Sequence, residues 1–111
     1  MNQKQIDDIS REVACSCLPD LAGVIGHLED YEQSKNNPDQ ELINFYKQCR
    51  IALWKERDNF YKYTDDDIRW LFNEIAPILK KLNLCSTDRS VEQAIFAQHE
   101  ACFRKLILEQ N

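Results

Sequence analysis

The sequence predicts an all-α protein, a single-domain antiparallel bundle of four to five helices over residues 1–111. Apolar residues recur at helical spacings along most of the chain, and no segment shows the alternation that is typical of a strand. Only two glycines and three prolines are present, which is too few for a sheet with many tight turns. A chain of 111 residues is large enough for one real core and too small for two.

The clearest helix is predicted over residues 64–84, TDDDIRWLFNEIAPILKKLNL. Its apolar stripe recurs every three or four residues and consists of Ile68, Phe72, Ile75, Leu79 and Leu82. Thr64 is a suitable N-cap, and the three aspartates that follow it place negative charge at the positive end of the helix dipole. Pro77 removes a backbone donor inside this helix, so a kink is expected near Asn73.

Two helices separated at Pro19 are predicted at the start of the chain. The first is expected over about residues 4–18 and ends at the proline, which lacks a backbone donor and disfavours helix in the preceding residue. The second restarts at Pro19, and we expect its interior glycines, Gly23 and Gly26, to let another helix come close. The alternative is one long kinked helix over residues 4–34.

Residues 35–38 form the clearest break in the chain. Asn37 is expected to cap a helix that reaches about Tyr61, with a connection of about two residues to the central helix. So short a connection forces the neighbouring helices to run antiparallel. After a further connection at residues 85–88, Ser90 is expected to cap the last helix.

No motif in the chain indicates a catalytic activity or a metal-binding site. Five cysteines without a secretion signal or membrane span indicate reduced thiols and a cytoplasmic location. His99 and Cys102 share a helix face but make only half of a metal site, and Phe103 stands where the HExxH pattern needs its second histidine. We therefore expect no catalytic residue, no metal and no cofactor, and the protein is not expected to be an enzyme.

The excess negative charge lies in the front of the chain. The formal net charge is −5; residues 1–46 carry nine acidic and three basic side chains, whereas residues 47–111 carry ten and eleven. An acidic surface repels nucleic acid and anionic membranes and attracts a basic partner. We therefore expect a basic protein partner, without binding to nucleic acid or membranes. Self-association into a homo-oligomer is compatible with the same surface.

Trp70 lies off the apolar stripe of the central helix. Its neighbours on the helical wheel are Asp66, Asn73, Glu74 and Pro77. An aromatic side chain ringed by polar groups is typical of an anchor in a protein interface. The alternative is that another helix covers this side chain. Together with Tyr63 and the neighbouring aspartates, Trp70 is expected to form an aromatic and acidic binding face.

These observations predict a small acidic protein that binds another protein. The predicted partner-binding residues are Glu29, Asp30, Glu32, Tyr63, Asp65, Asp66, Asp67, Trp70 and Glu74. The sharpest hypothesis is an inhibitor or immunity-type protein whose carboxylates neutralise a basic, nuclease-like partner by mimicking its substrate's phosphates. In size and charge the chain is similar to toxin-neutralising immunity proteins and nuclease inhibitors, although no motif carries that similarity. The alternative is a helical adaptor, chaperone or oligomerisation module.

Overall fold

The computed structural model describes residues 7–84 and 88–110. Six α-helices occupy these ranges: α1 (Asp8–Gln33), α2 (Gln40–Asp58), α3 (Asp65–Trp70), α4 (Ala76–Leu84), α5 (Arg89–Gln98) and α6 (Glu100–Glu109). A 3-10 turn follows α2 at Phe60–Lys62, and a π-helical turn at Leu71–Ile75 joins α3 to α4. The described residues thus form five helical rods and no strand, which confirms the predicted all-α bundle. None of the described helices is long and apolar enough to cross a lipid bilayer.

The first helix runs through Pro19 without a break, so the prediction of two helices was wrong and the alternative of one long helix holds. Its N-cap is Asp7; the predicted start at Lys4 lies outside the described residues. A proline inside a helix costs about 3 kcal/mol. Leu18 and Leu21, on either side of the proline, are fully buried in the same core. Such burial stabilises by about 1.5–3 kcal/mol for each side chain, which offsets the cost of the proline.

Helices α1 and α2 pack along each other and run antiparallel. Glu32, near the end of α1, lies beside Asp39 at the start of α2, whereas the earlier Glu29 lies beside Arg50, farther along α2. The N-cap of α2 is Asp39 rather than the predicted Asn37. The carboxylate of Asp39 accepts a hydrogen bond of 3.1 Å from the amide three residues on, and its own amide is held by Glu32. A contact with the end of the preceding helix, added to the local cap, therefore fixes where α2 begins.

The central rod begins as predicted. Thr64 accepts a hydrogen bond from the amide of Asp67, and the carboxylate of Asp67 accepts one from the amide of Thr64. The two residues form a capping box, which satisfies two backbone donors that the helix itself leaves free. Ile68, the first residue of the predicted apolar stripe, is fully buried.

The disturbance expected near Asn73 takes the form of the π-helical turn at Leu71–Ile75. In this turn the amide of Ala76 donates to the carbonyl of Leu71, five residues earlier, instead of four. The wider turn lies directly before Pro77, the residue that has no amide to donate. The irregularity therefore occurs where the proline interrupts the regular hydrogen-bond ladder.

The predicted last helix is divided into α5 and α6 at His99. Its N-cap is Asp88 rather than Ser90, because the carboxylate of Asp88 accepts a hydrogen bond from the amide of Ser90. Phe96 and Phe103 are buried, and their ring centroids are 4.5 Å apart. In an unbroken α-helix the backbones of two residues seven apart are about 10.5 Å apart along the axis. The break at His99 brings the two rings into contact in the core.

The prediction that the two glycines of α1 let another helix come close was wrong. A Cβ atom added at Gly23 would meet no atom within 4 Å, and one at Gly26 would meet only the Cδ atom of Arg50, at 3.7 Å. Both glycines line a groove at the surface instead. No packing contact in the described part of the chain therefore accounts for these residues, each of which costs a helix about 1 kcal/mol relative to alanine.

Candidate protein-binding surface

The nine predicted partner-binding residues do not form one surface, and Glu32 shows this most clearly. Only 3% of its surface is exposed. Its carboxylate accepts hydrogen bonds from the ammonium of Lys35 (2.8 Å), the side-chain amide of Gln93 (3.0 Å) and the backbone amide of Asp39 (3.0 Å). These bonds, the one from Lys35 most of all, lower the pKa of Glu32 to about 2. Glu32 therefore links α1 to α2 and α5 and is not the surface charge that was expected.

Two more of the predicted acids are paired within the chain. Glu29 accepts hydrogen bonds of 3.0 and 3.2 Å from the guanidinium of Arg50, and only 13% of its side chain is exposed. Asp65 forms an ion pair with Arg11, whose guanidinium also donates to the carbonyl of Tyr63. These arginines reduce the charge that both carboxylates present to a partner.

The other four predicted acids are exposed: Asp30, Asp66, Asp67 and Glu74. Asp67 closes the capping box, and Asp66 pairs with Arg69 three residues on. Both carboxylates also lie in the first turn of α3, where they stabilise the positive end of the helix dipole. Local interactions at the start of this helix therefore account for Asp66 and Asp67.

Tyr63, Asp67 and Trp70 meet in one open cleft of about 510 Å³, which we call the Trp70 cleft. Trp70 is half-buried and packs against the core, so the alternative that other helices cover it is realised in part. The three carboxylates that line the cleft face two ammonium groups, those of Lys62 and Lys105. The cleft is aromatic as predicted, but its charge is mixed rather than acidic.

Two polar groups of the Trp70 cleft are already engaged with each other. The hydroxyl of Tyr63 donates a hydrogen bond of 2.7 Å to one oxygen of Glu56, and the side-chain amide of Gln110 donates to the other oxygen. Burial is the largest cause that raises the pKa of Tyr63, and the bond to Glu56 adds to it. The phenol stays protonated, and Glu56 has both oxygens occupied before any partner arrives.

A row of exposed carboxylates lies along the solvent side of α1, and we call it the acidic row. Four side chains within about 120° on the helical wheel form this row: Asp8, Glu12, Asp20 and Asp30. The row is roughly 33 Å long at 1.5 Å per residue. Among the described residues, none of the six ion pairs involves these four side chains. Because α1 continues through Pro19, acids from both predicted helices share one axis.

A groove of about 430 Å³ lies beside the second half of the acidic row, between α1 and α2, and we call it the Trp54 groove. Trp54 lies on the α2 side and is 44% exposed, which makes it the more exposed of the two tryptophans. The α1 side includes Asp30 and the two glycines, which present backbone without Cβ atoms. An exposed tryptophan beside a concave surface is typical of an interface anchor.

Trp54 was not among the predicted binding residues. The sequence places it at the border of the apolar stripe of α2, a position where a side chain can be either buried or exposed. Its exposure depends on how closely α1 approaches, and the glycines of α1 leave that space open. The combination of a bordering aromatic residue with glycines on the neighbouring helix was the available signal.

The thiols of Cys17, Cys49 and Cys102 are not activated. Burial is the largest cause that raises the pKa of Cys17 and Cys102, and it raises that of Cys49 to about 12. These three thiols therefore stay protonated at neutral pH. In the described ranges, no three His, Cys, Asp or Glu side chains come together in an arrangement that could hold a metal ion.

No protein-family model, curated protein or solved structure matches this chain. The function is therefore inferred from the chain's own surfaces. Of these, the acidic row and the Trp54 groove are adjacent and share Asp30, so a single partner can contact both.

Proposed function

We propose that this protein binds a basic protein partner and neutralises it, as an inhibitor or immunity-type protein of a nuclease-like toxin does. The observation that carries the proposal is the acidic row, four exposed carboxylates along one face of an unbroken helix. Proteins that bind nucleic acid contact a line of phosphates with lysine and arginine side chains. A line of carboxylates roughly 33 Å long has the same sign and a similar linear arrangement, so it supports competition for such a surface.

The acidic row steers the association. Its carboxylates are exposed and lie outside the ion pairs of the described residues, so their field is not cancelled locally. At physiological ionic strength such charges act over about 8 Å. Exposed charges of this kind raise the rate of association more than they slow release, and their effect falls as salt increases.

The Trp54 groove slows the release of the partner. A tryptophan that loses its contact with water at the centre of an interface commonly contributes more than the charged residues around it. Gly23 and Gly26 let a partner's backbone approach α1 beside this side chain. Differences in affinity between related complexes arise mostly in the rate of dissociation, which is where this contact acts.

The proposed surface differs from the one expected from the sequence. Asp30 is retained because it belongs to both the acidic row and the Trp54 groove. The residues of α3 and the Trp70 cleft are left out, because internal pairs, helix capping and the two lysines of the cleft account for their charges. Glu32 is left out because it is buried.

Affinity capture from the native cell tests the proposal with two variants of equal net charge. The first removes the acidic row and contains Asp8→Asn, Glu12→Gln, Asp20→Asn and Asp30→Asn. The second removes four exposed acids elsewhere and contains Asp58→Asn, Asp66→Asn, Glu74→Gln and Glu109→Gln. We expect the wild type and the second variant to retain a basic protein that the first variant retains about tenfold less, and we expect retention to weaken as salt rises.

The second variant also tests the surface that the sequence predicted. Loss of the partner in that variant alone would place the contact at α3 and the Trp70 cleft and would contradict the acidic row. Equal loss in both variants would indicate a response to net charge without a defined surface. Retention that salt does not weaken would contradict recognition by charge altogether.

A helical adaptor without an inhibitory role is the second candidate, and an apolar ridge on α2 favours it. Ile51 and Trp54 are 51% and 44% exposed and lie three residues apart, so they share one side of the helix. A partner held mainly by this ridge would stay bound at high salt, because burial of apolar surface is insensitive to screening. Ile51→Ser would then weaken capture more than loss of the acidic row.

A further inference from the structure

A cavity of about 350 Å³ lies at the end of the bundle where α1 turns into α2, and α5 contributes one of its sides. Leu42, Phe45 and Phe96 line it with apolar surface. The ring of Phe96 packs edge-on against those of Phe45 and Tyr46, with centroids 5.9 and 5.1 Å apart. The lining is therefore held in place by the core, and the volume suits a single large side chain or a small ligand.

The charged groups around this cavity favour a cation. Three carboxylates line it, those of Glu32, Asp39 and Glu100, against the single ammonium of Lys35. Lys35 is held by Glu32 at 2.8 Å, so its charge is balanced within the chain. Glu100 forms an ion pair with Arg104, which lies outside this cavity, so Asp39 provides the excess negative charge.

Asp39 and Glu100 each use one carboxylate oxygen within the chain. Oδ1 of Asp39 accepts a hydrogen bond of 3.1 Å from the amide of Leu42. Oε1 of Glu100 accepts two, of 2.9 and 2.5 Å, from the guanidinium of Arg104. Within the described residues, no hydrogen bond engages the second oxygen of either carboxylate. A cation between the two residues would gain charge-assisted hydrogen bonds to both oxygens.

Phe45 already has a guanidinium over its ring. The guanidinium carbon of Arg104 lies 4.6 Å from the centroid of Phe45, and Glu100 binds the same guanidinium. An aromatic ring and a carboxylate that surround one cation form a stable arrangement when water is partly excluded. Phe45, Asp39 and Glu100 line both this cavity and the smaller one next to it, beside Arg104. Two groups of the site, Phe45 and Glu100, are therefore ones that the chain itself uses to hold an arginine.

We propose that this cavity, the arginine pocket, receives an arginine side chain of the protein partner, with its guanidinium between Asp39 and Glu100. The methylene groups of that arginine lie against the apolar lining. The inference rests on the proposed function, because the basic partner supplies the arginine. Arginine fits better than lysine because its planar group stacks on aromatic rings, donates from more than one edge and is less strongly hydrated.

An NMR titration of the 15N-labelled protein tests the pocket with a capped amino acid, N-acetylarginine N-methylamide. We expect saturable shifts of the backbone amides of Leu42 and Ala97 and of the side-chain amide of Gln93, with a dissociation constant of about 1–10 mM. The corresponding citrulline compound has the same shape without the charge, and we expect it to bind about tenfold more weakly. The corresponding lysine compound is expected to lie between the two.

Two charge-neutral variants sharpen the test. Asp39→Asn keeps the N-cap of α2, because asparagine caps helices as well as aspartate does, and Glu100→Gln keeps the shape of its side chain. Each is expected to weaken binding of the arginine probe about fivefold. Asp58→Asn makes the same chemical change at an exposed position outside every proposed contact and is expected to leave binding unchanged.

Equal shifts with the arginine and citrulline probes, or full binding in both charge-neutral variants, would overturn the pocket. The proposed function would remain in that case if capture still depended on the acidic row. If the pocket binds the probe but Glu100→Gln retains the captured partner as well as the wild type, the partner does not use the pocket. Retention reduced about fivefold in Glu100→Gln and not in Asp58→Asn would support the inference as stated.

Discussion

The two sides of α1 carry acidic side chains in opposite circumstances. Asp30 lies on the solvent side, outside the ion pairs of the described residues, whereas Glu32, two residues on, is 3% exposed and accepts three hydrogen bonds. Two residues correspond to about 200° of rotation around a helix. That rotation separates a charge that a partner can meet from one that holds the bundle together. Acidic composition alone therefore does not measure the charge that a surface offers.

The same division between structural and exposed acids holds throughout residues 1–46. Of the nine acids in residues 1–46, four have structural roles: Glu29, Glu32, Asp7 and Asp39 form internal ion pairs or cap helices. The other five are exposed: Asp8, Glu12, Asp20, Asp30 and Glu41. Ion pairs thus balance two of the nine charges, and four of the five acids without a structural role lie on one helix face.

The largest effect is expected from acid titration of Glu32, on the side of α1 that faces the core. The pKa of Glu32 is about 2 in the folded protein and 4.5 ordinarily, so the unfolded chain takes up the proton first as the pH falls. The resulting stabilisation of about 3 kcal/mol is fully present above the ordinary pKa of 4.5. It is lost as the pH falls towards the pKa of about 2 that Glu32 has in the folded protein. Urea unfolding from neutral pH to about pH 3 measures it. A Glu32→Gln variant that keeps the full pH dependence would contradict the assignment.

Replacing one carboxylate on each side of α1 by the neutral amide should give the next largest difference in the free energy of unfolding. Glu32→Gln keeps the shape of the side chain but removes the charge that holds Lys35, and it is expected to lower the free energy of unfolding by about 2 kcal/mol. The cost stays moderate because the side chain of Lys35 is 41% exposed and can recover water. Asp30→Asn is the matched change on the solvent side, with an expected effect below about 0.5 kcal/mol. Urea denaturation of both variants at neutral pH is the measurement. Equal losses of unfolding free energy would contradict the proposed difference between the two sides of α1.

The smallest expected effect concerns the glycines on the solvent side. Gly23→Ala should raise the free energy of unfolding by about 0.5–1 kcal/mol, because alanine favours helix and the added Cβ meets no atom within 4 Å. If the Trp54 groove receives a partner, the same substitution should weaken capture while it raises the melting temperature. Gly26→Ala, whose Cβ would lie 3.7 Å from Arg50, should behave similarly. A loss of stability in Gly23→Ala would show that the glycine has a role within the chain.

Most of the candidate site could not be read from the sequence. Asp30 is the one predicted residue that lies in the acidic row, and Trp54 was placed only at the border of a stripe. Trp70 and Tyr63 were correctly brought together, but Lys105 approaches them from a helix more than thirty residues away. The character of a surface depends on such distant neighbours, and helical periodicity carries no information about them.

By itself the sequence determined the elements whose causes are local. The helical spacing of apolar residues specified an all-α bundle, and the capping box at Thr64 follows from side chains that lie within three residues of each other. Only the tertiary structure decided that α1 passes through Pro19, that Glu32 is buried and that α2 starts at Asp39. In the first two cases a local preference of a few kcal/mol competes with burial and hydrogen bonds made by distant parts of the chain, and the distant contributions are larger. In the third case the buried carboxylate of Glu32, at the end of the preceding helix, binds the amide of Asp39 and helps to fix the start of α2.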